Sequence, residues 1–148
     1  MKNSSKKPFI ILCSIFVLVS MFVGCTKKLS EKDVEYAEVF TENIVQAIEK
    51  VDYAQFSKDF SSELKNAITE DNFKTLCTSF SEKIGKYESR KFSAASESEK
   101  DSMIYQTVIY KAKYSKEEKD VQITASFSEN DGKVLVQGIF FKSPNLIK

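Results

Sequence analysis

Hydrophobic and polar residues follow three different rhythms along the 148-residue chain. From Phe9 to Val23 the run is almost wholly apolar, interrupted by Ser14 and Ser20. From Ser30 to Ile84 apolar residues recur at three- and four-residue steps, the period of helices that bury one face. Beyond Gly85 the step shortens to two, the period of half-buried strands.

In the helical region, Ser30 followed three residues later by Asp33 predicts a helix start. Val34, Ala37, Phe40, Ile44, Ala47, Ile48 and Val51 then share one face over roughly 31–51, with Glu35, Glu38, Glu42 and Glu49 mostly off it. Asp52 and Tyr53 open a compact segment in which Phe56, Phe60 and Leu64 share a face, closed by Ala67 and Ile68. Thr69 is a second cap, and Phe73, Leu76, Cys77, Phe80 and Ile84 form the next stripe, which Gly85 ends. The alternating region predicts strands over 86–96 and 103–114, separated by a polar turn at 97–102. Val121, Ile123, Ala125 and Phe127 then alternate with Gln122, Thr124 and Ser126 in a third strand. Asn130-Asp131-Gly132 makes a tight turn into a last strand, 133–142, stopped by Pro144. Strands so close in sequence pair antiparallel, and helices followed by a strand meander make an α+β fold. The expected architecture is N-terminal helices packed on one face of a four-stranded antiparallel sheet.

The apolar run near the start changes the picture of where such a domain sits. Lys2, Lys6 and Lys7 precede it, and its fifteen residues reach roughly 22 Å as a helix, short of the roughly 30 Å hydrocarbon core. A charged start, a short apolar middle and a small residue at the end describe an export signal. An uncleaved anchor stays open, because a tilted segment reaching Cys25 nearly crosses a thin bilayer. The run ends in Phe22-Val23-Gly24-Cys25, which resembles the lipobox of prokaryotic lipoproteins, with Phe22 where leucine is commonest. The resemblance implies cleavage between Gly24 and Cys25, and a diacylglyceryl or palmitoyl modification on Cys25. One myristoyl-sized chain holds a protein only marginally, whereas two acyl chains make a durable anchor. The expected organisation is a signal peptide at 1–24, a lipidated N-terminus and short tether at 25–30, and the α+β domain at 31–148. The expected location is the extracytoplasmic face of a cell membrane, with membrane lipid as the partner of Cys25. Lys27, Lys28 and Lys32 add about 1 kcal/mol each beside anionic lipid, or are ordinary solvated lysines.

Composition removes several chemistries. The formal charge is +1 and there is no histidine, which excludes a general nucleic-acid-binding face, Ser-His-Asp and Cys-His catalysis, and His-ligated metal sites. Loss of residues 1–24 removes Lys2, Lys6 and Lys7 and leaves the exported part at −2. Cys13 departs with the signal and Cys25 is blocked by lipid, leaving Cys77 alone in an apolar helical stripe as a small hydrophobe. No Gly-rich phosphate loop, Cys-x-x-Cys pair or complete calcium loop occurs, so neither a metal nor a cofactor is expected. The single arginine, Arg90, offers little for bidentate anion recognition. The acids at Glu117-Glu118 and at Glu97, Glu99 and Asp101 read as plain solvated carboxylates.

The early apolar helix, Asp52-Tyr53-x-x-Phe56, the Ile84-Gly85-Lys86 junction and the closing Asp131-Gly132-Lys133-Val134…Gly138…Phe140 carry a second resemblance. Over about 40–145 the chain is similar to uncharacterised domains of bacterial and archaeal lipoproteins in the nuclear-transport-factor-2-like, or cystatin-like, superfold. That resemblance implies a curved sheet and helices enclosing a cone, whose candidate lining here is aromatic: Tyr105, Tyr110, Tyr114, Phe127, Phe140 and Phe141. Aromatic residues in strands fill cores more often than they line cavities, so a packed interior and an open cavity both stand. Two functions follow: a membrane-anchored module binding a small ligand or a protein, or an exported enzyme of hydrolase or isomerase type using acidic and Tyr residues in the cone. Pairing of two copies through the sheet, common for such folds, is a further expectation.

Overall fold

The structure is a computed structural model that describes residues 26–147; Gly24 and Cys25 lie outside the described residues. Strand β1 (Lys27–Leu29) leads through a 3-10 turn (Glu31–Val34) into helices α1 (Tyr36–Lys50), α2 (Tyr53–Ser57), α3 (Ser62–Ala67) and α4 (Glu70–Lys83). Strands β2 (Tyr87–Lys100), β3 (Met103–Tyr114), β4 (Glu117–Asn130) and β5 (Lys133–Lys142) follow, and a short helix α5 (Pro144–Ile147) closes the order. The α+β class stands, with one five-stranded antiparallel sheet that is curved and unclosed, in the order β1-β2-β3-β4-β5.

The fifth strand corrects the expected count of four. Residues 27–29, expected as a tether, pair with Glu97, Ser96 and Ala95 at the edge of β2, and Leu29 is buried. Three residues are too few to display a period, and this strand exists because β2 offers an unpaired edge there. The β2–β3 hairpin is also longer than expected. Pairing continues to Lys100 opposite Met103, and the turn contracts to Asp101 and Ser102, both at positive φ (51° and 63°) as a tight hairpin turn requires. Both faces of that hairpin tip are wet, so the apolar/polar alternation that marks a strand is missing from its sequence.

The caps work as local chemistry dictates. Asp33 accepts from the Ser30 N–H (2.8 Å) and Oγ (2.7 Å), but the first turn is 3-10 and the α-helix begins only at Tyr36. Asp52 accepts from the Gln55 N–H at 2.9 Å, and Thr69 Oγ1 from the Asn72 N–H at 3.3 Å. The compact segment opened by Asp52 and Tyr53 consists of two short helices, α2 and α3, with β5 taking hydrogen bonds between them. The Val136 N–H donates to the Asp59 carbonyl (2.8 Å) and the Ser61 N–H to the Val136 carbonyl (2.9 Å). Gly85 follows α4 at φ +80°, where its N–H reaches the Phe80 carbonyl at 2.8 Å.

The core lies between the helices and one face of the sheet. Ile44, Val45, Phe56, Phe73 and Ile84 from the helical half meet Val108, Val121, Ile123, Phe127 and Val136 from the strands, all fully buried. Each side chain of this size contributes about 1.5–3 kcal/mol on burial. Cys77 is buried in the same core as a free thiol, and burial raises its pKa.

Candidate functional site

The inner side of the sheet is filled by rings. Phe127 stands edge-on to Tyr36 (5.3 Å between centroids) and Phe40 (5.8 Å), and Phe56 packs on Phe60 (4.9 Å) and Phe73 (4.5 Å). Phe80 packs against Phe141 (4.9 Å) and Tyr114 (6.0 Å), and Tyr114 against Tyr87 (5.7 Å). Of the residues proposed from sequence as a cavity lining, Tyr110, Tyr114 and Phe127 are buried in this packed interior and Phe141 packs at its margin. Tyr105 and Phe140 are placed on the opposite face: Tyr105 pairs with Ser98, Phe140 with Thr124, and Phe140 is 55% exposed. Burial holds the Tyr110 phenol up at about 12, helped by Glu38, and raises Tyr114 further still. Both phenols therefore stay protonated at neutral pH, which removes them as ready bases.

A polar cluster interrupts the apolar seam between α1 and β2. Glu38 and Glu42, one helical turn apart, approach Arg90 on β2. Arg90 Nη2 donates to Glu38 Oε1 (2.6 Å) and to the Glu38 carbonyl (2.8 Å), while Nη1 donates to Glu42 Oε2 and to the Tyr87 hydroxyl (2.8 Å). The guanidinium lies 5.3 Å from the Tyr110 ring centroid, within cation–π range. Burial alone would raise the Glu42 carboxyl, but hydrogen bonds from Arg90 and Gln46 outweigh it and hold the group below its usual range. Next to the cluster is a hollow of about 290 Å³ lined by Glu31, Lys32, Val34, Glu35, Glu38, Phe92 and Tyr110. Of the three glutamates that line it, Glu38 is engaged by Arg90, so the cluster ties α1 to the sheet. Among the described residues no group of three or more Cys, Asp and Glu is placed to hold a metal ion.

Glu117 departs from its expected place among solvated acids. It is buried and accepts hydrogen bonds from Ser143 Oγ and from the Asn145 N–H (3.3 Å), where it stabilises the start of α5.

The outer face of the sheet is built differently. Across β2 to β5 one row reads Ala94, Ile109, Thr124, Phe140, and the next reads Ser96, Thr107, Ser126, Gly138. These side chains are small or β-branched, apart from Phe140. A third row reads Lys91, Lys111, Gln122, Lys142, and Lys113 stands beside it in an ion pair with Asp120 at 2.7 Å. The buried apolar strand residues lie on the other face, with α1 to α4 packed on them. Sequence reasoning weighed Arg90 only for anion recognition and did not pair it with Glu38 and Glu42; the signal for that pairing was a lone guanidinium in a strand combined with two glutamates four apart on an apolar helix. It also passed over the lysine row, whose signal was lysine at the polar phase of successive strands.

A family model described as a protein of unknown function (DUF3887) matches residues 41–134. The match runs from α1 to the start of β5 and includes Arg90 and most of the outer face. No curated protein and no solved structure matches the chain.

Proposed function

The chain belongs to the DUF3887 family, and on that premise we propose that it is an exported lipoprotein, anchored through Cys25 on the extracytoplasmic face of a cell membrane, whose folded body is an interaction module. The module works through the outer face of its sheet. The observation that carries this reading is the contrast between the two faces of the curved sheet: the inner one is closed by edge-on and tilted rings, whereas the outer one carries no helix among the described residues and is crossed by a lysine row. A lipobox-like Phe22-Val23-Gly24-Cys25 after a short apolar run supports the anchor, and no described helix is long and apolar enough to cross a membrane. Helices laid on one face of a curved antiparallel sheet support a nuclear-transport-factor-2-like assignment. Protonated, buried tyrosines and an Arg-locked glutamate pair weigh against an exported hydrolase or isomerase acting from the interior.

Native mass spectrometry of the full protein released from detergent micelles tests the choice of face. The expected species carries its acyl chains and no second small molecule. A stoichiometric small molecule retained through desolvation would place the working site in the interior or in the Phe92–Tyr110 hollow and overturn this reading.

A further inference from the structure

Strand register brings three lysines of this chain into one row across the sheet. Lys91 stands directly opposite Lys111, and Lys111 opposite Gln122, which in turn stands opposite Lys142, so one line across four strands holds three ammonium groups. With strands about 4.8 Å apart that line is roughly 14 Å long. Like charges placed directly across a strand pair destabilise a sheet, and nothing in the packing of the inner face requires them here. Asp120 is the carboxylate among them. Its hydrogen bond from Lys113, with the fields of Lys113, Lys91 and Lys111, keeps it ionised well below the usual range. Acidic residues outnumber basic ones on the far side, where the 3-10 turn and α1 carry Glu31, Glu35, Glu38, Glu42 and Glu49 against Lys32 and Lys50, with Glu38 and Glu42 paired to Arg90. The folded domain is therefore polarised, basic on the bare sheet face and acidic on its helical side, although its net charge is small.

The tether fixes which surface this basic face meets. Only Thr26 separates Cys25 from β1, whose Lys28 pairs with Ser96 and so joins the outer face. Two residues of chain reach at most about 7 Å. An acyl group on Cys25 thus attaches to the edge of the sheet itself, with no linker long enough to hold the domain clear of the headgroups. Phe140, exposed at 55% in the apolar row next to the lysine row, supplies an aromatic ring at the depth where such a face meets acyl chains.

We propose that the outer sheet face docks on the anionic phospholipid surface of the same membrane, with Lys91, Lys111 and Lys142 over phosphates, Phe140 inserted between them, and the acidic helical side turned away. The proposal rests on the lipid anchor at Cys25 and adds an orientation to it. In this arrangement the helical side, including the hollow lined by Glu31, Glu35, Phe92 and Tyr110, faces away from the bilayer.

The test uses the full lipoprotein reconstituted in vesicles of phosphatidylcholine alone or with phosphatidylglycerol. A reporter thiol is introduced at Ser96→Cys on the outer face or, as reference, at Glu63→Cys on α3, and labelled with an uncharged maleimide. Cys77 is buried and stays silent. Docking predicts that the Ser96→Cys thiol is protected in the anionic vesicles and reactive in the neutral ones, while Glu63→Cys reacts equally in both. Each lysine beside anionic lipid shifts such an equilibrium about fivefold, so Lys91→Gln with Lys111→Gln relieves protection by about 30-fold. Those two changes also remove a like-charge pair, so loss of folding is not their expected effect. Equal reactivity of Ser96→Cys in both vesicle types overturns the proposal. Protection in neutral vesicles by soluble inorganic polyphosphate, matching that in anionic ones, overturns the lipid assignment in favour of a polyanionic polymer. Protection that depends on protein concentration overturns it in favour of a second copy. Intact mass of the same preparation reads the anchor independently: an acylated Cys25 with an unprotected face refutes docking alone, and a bare Cys25 with a protected face refutes the anchor alone.

Discussion

Removing Arg90 and removing its two glutamates are predicted to have unequal effects, and the inequality follows from where the charges sit. The Arg90 side chain is 2% exposed, whereas those of Glu38 and Glu42 are 59% and 43% exposed. In Arg90→Met the two carboxylates lose a partner but keep water, and the methionine stem still packs on Tyr110, so the expected loss is about 2 kcal/mol. In Glu38→Ala with Glu42→Ala the guanidinium stays buried with only the Tyr87 hydroxyl, the Glu38 carbonyl and an aromatic face, and its uncompensated charge costs about 3–5 kcal/mol. Adding Arg90→Met to that double variant should recover stability, since it removes the stranded charge. Urea unfolding followed by circular dichroism measures this as a shift in midpoint at constant slope. The reasoning is refuted if Arg90→Met is the more damaging change, or if the triple variant is no more stable than the double.

The remaining predictions concern backbone and pH. Gly85→Ala places a Cβ 2.3 Å from Ser115 Oγ at φ +80°, so beyond the roughly 1–2 kcal/mol left-handed penalty it opens the α4–β2 junction; thermal unfolding should show a loss larger than that penalty alone. Val51 ends α1 at φ +55° with 54% exposure, so Val51→Gly should gain roughly 0.5–1 kcal/mol by relieving that strain, net of glycine's chain entropy. A loss on urea titration would contradict it. The Glu42 carboxyl is depressed below its ordinary value of 4.5 in the folded state, so its contribution is fully present above that value and fades as pH falls through the folded one. Stability measured from pH 6 to about pH 3 should therefore decline more steeply for the parent than for Glu42→Gln.

Much of the fold was legible because local and tertiary signals agree. Asp52 and Thr69 cap helices whose stripes, Phe56 in one and Phe73 and Phe80 in the other, face the same core, and Val121 to Phe127 alternate as their burial does. The misses have physical causes. Ser61 ends up between two helices because the backbone of β5 claims hydrogen bonds there, a long-range event that no local period records. Lys27–Leu29 became a strand through an edge that lies about seventy residues away. The polar face was visible as a phase, but its meaning was not: Lys91, Lys111 and Lys142 look like ordinary solvated residues until register places them in one row. Arg90, which as a single arginine offers little for bidentate anion recognition, is instead a buried clamp whose partners come from a helix about fifty residues upstream.

The account depends most on the sulfur of Cys25, because the anchor sets the location, the orientation and the partner surface together. Intact mass spectrometry of the protein taken from native membranes reads that atom directly. The account predicts a chain that begins at Cys25 and carries a diacylglyceryl group on its sulfur. A free thiol at Cys25, or a chain still bearing residues 1–24, contradicts it.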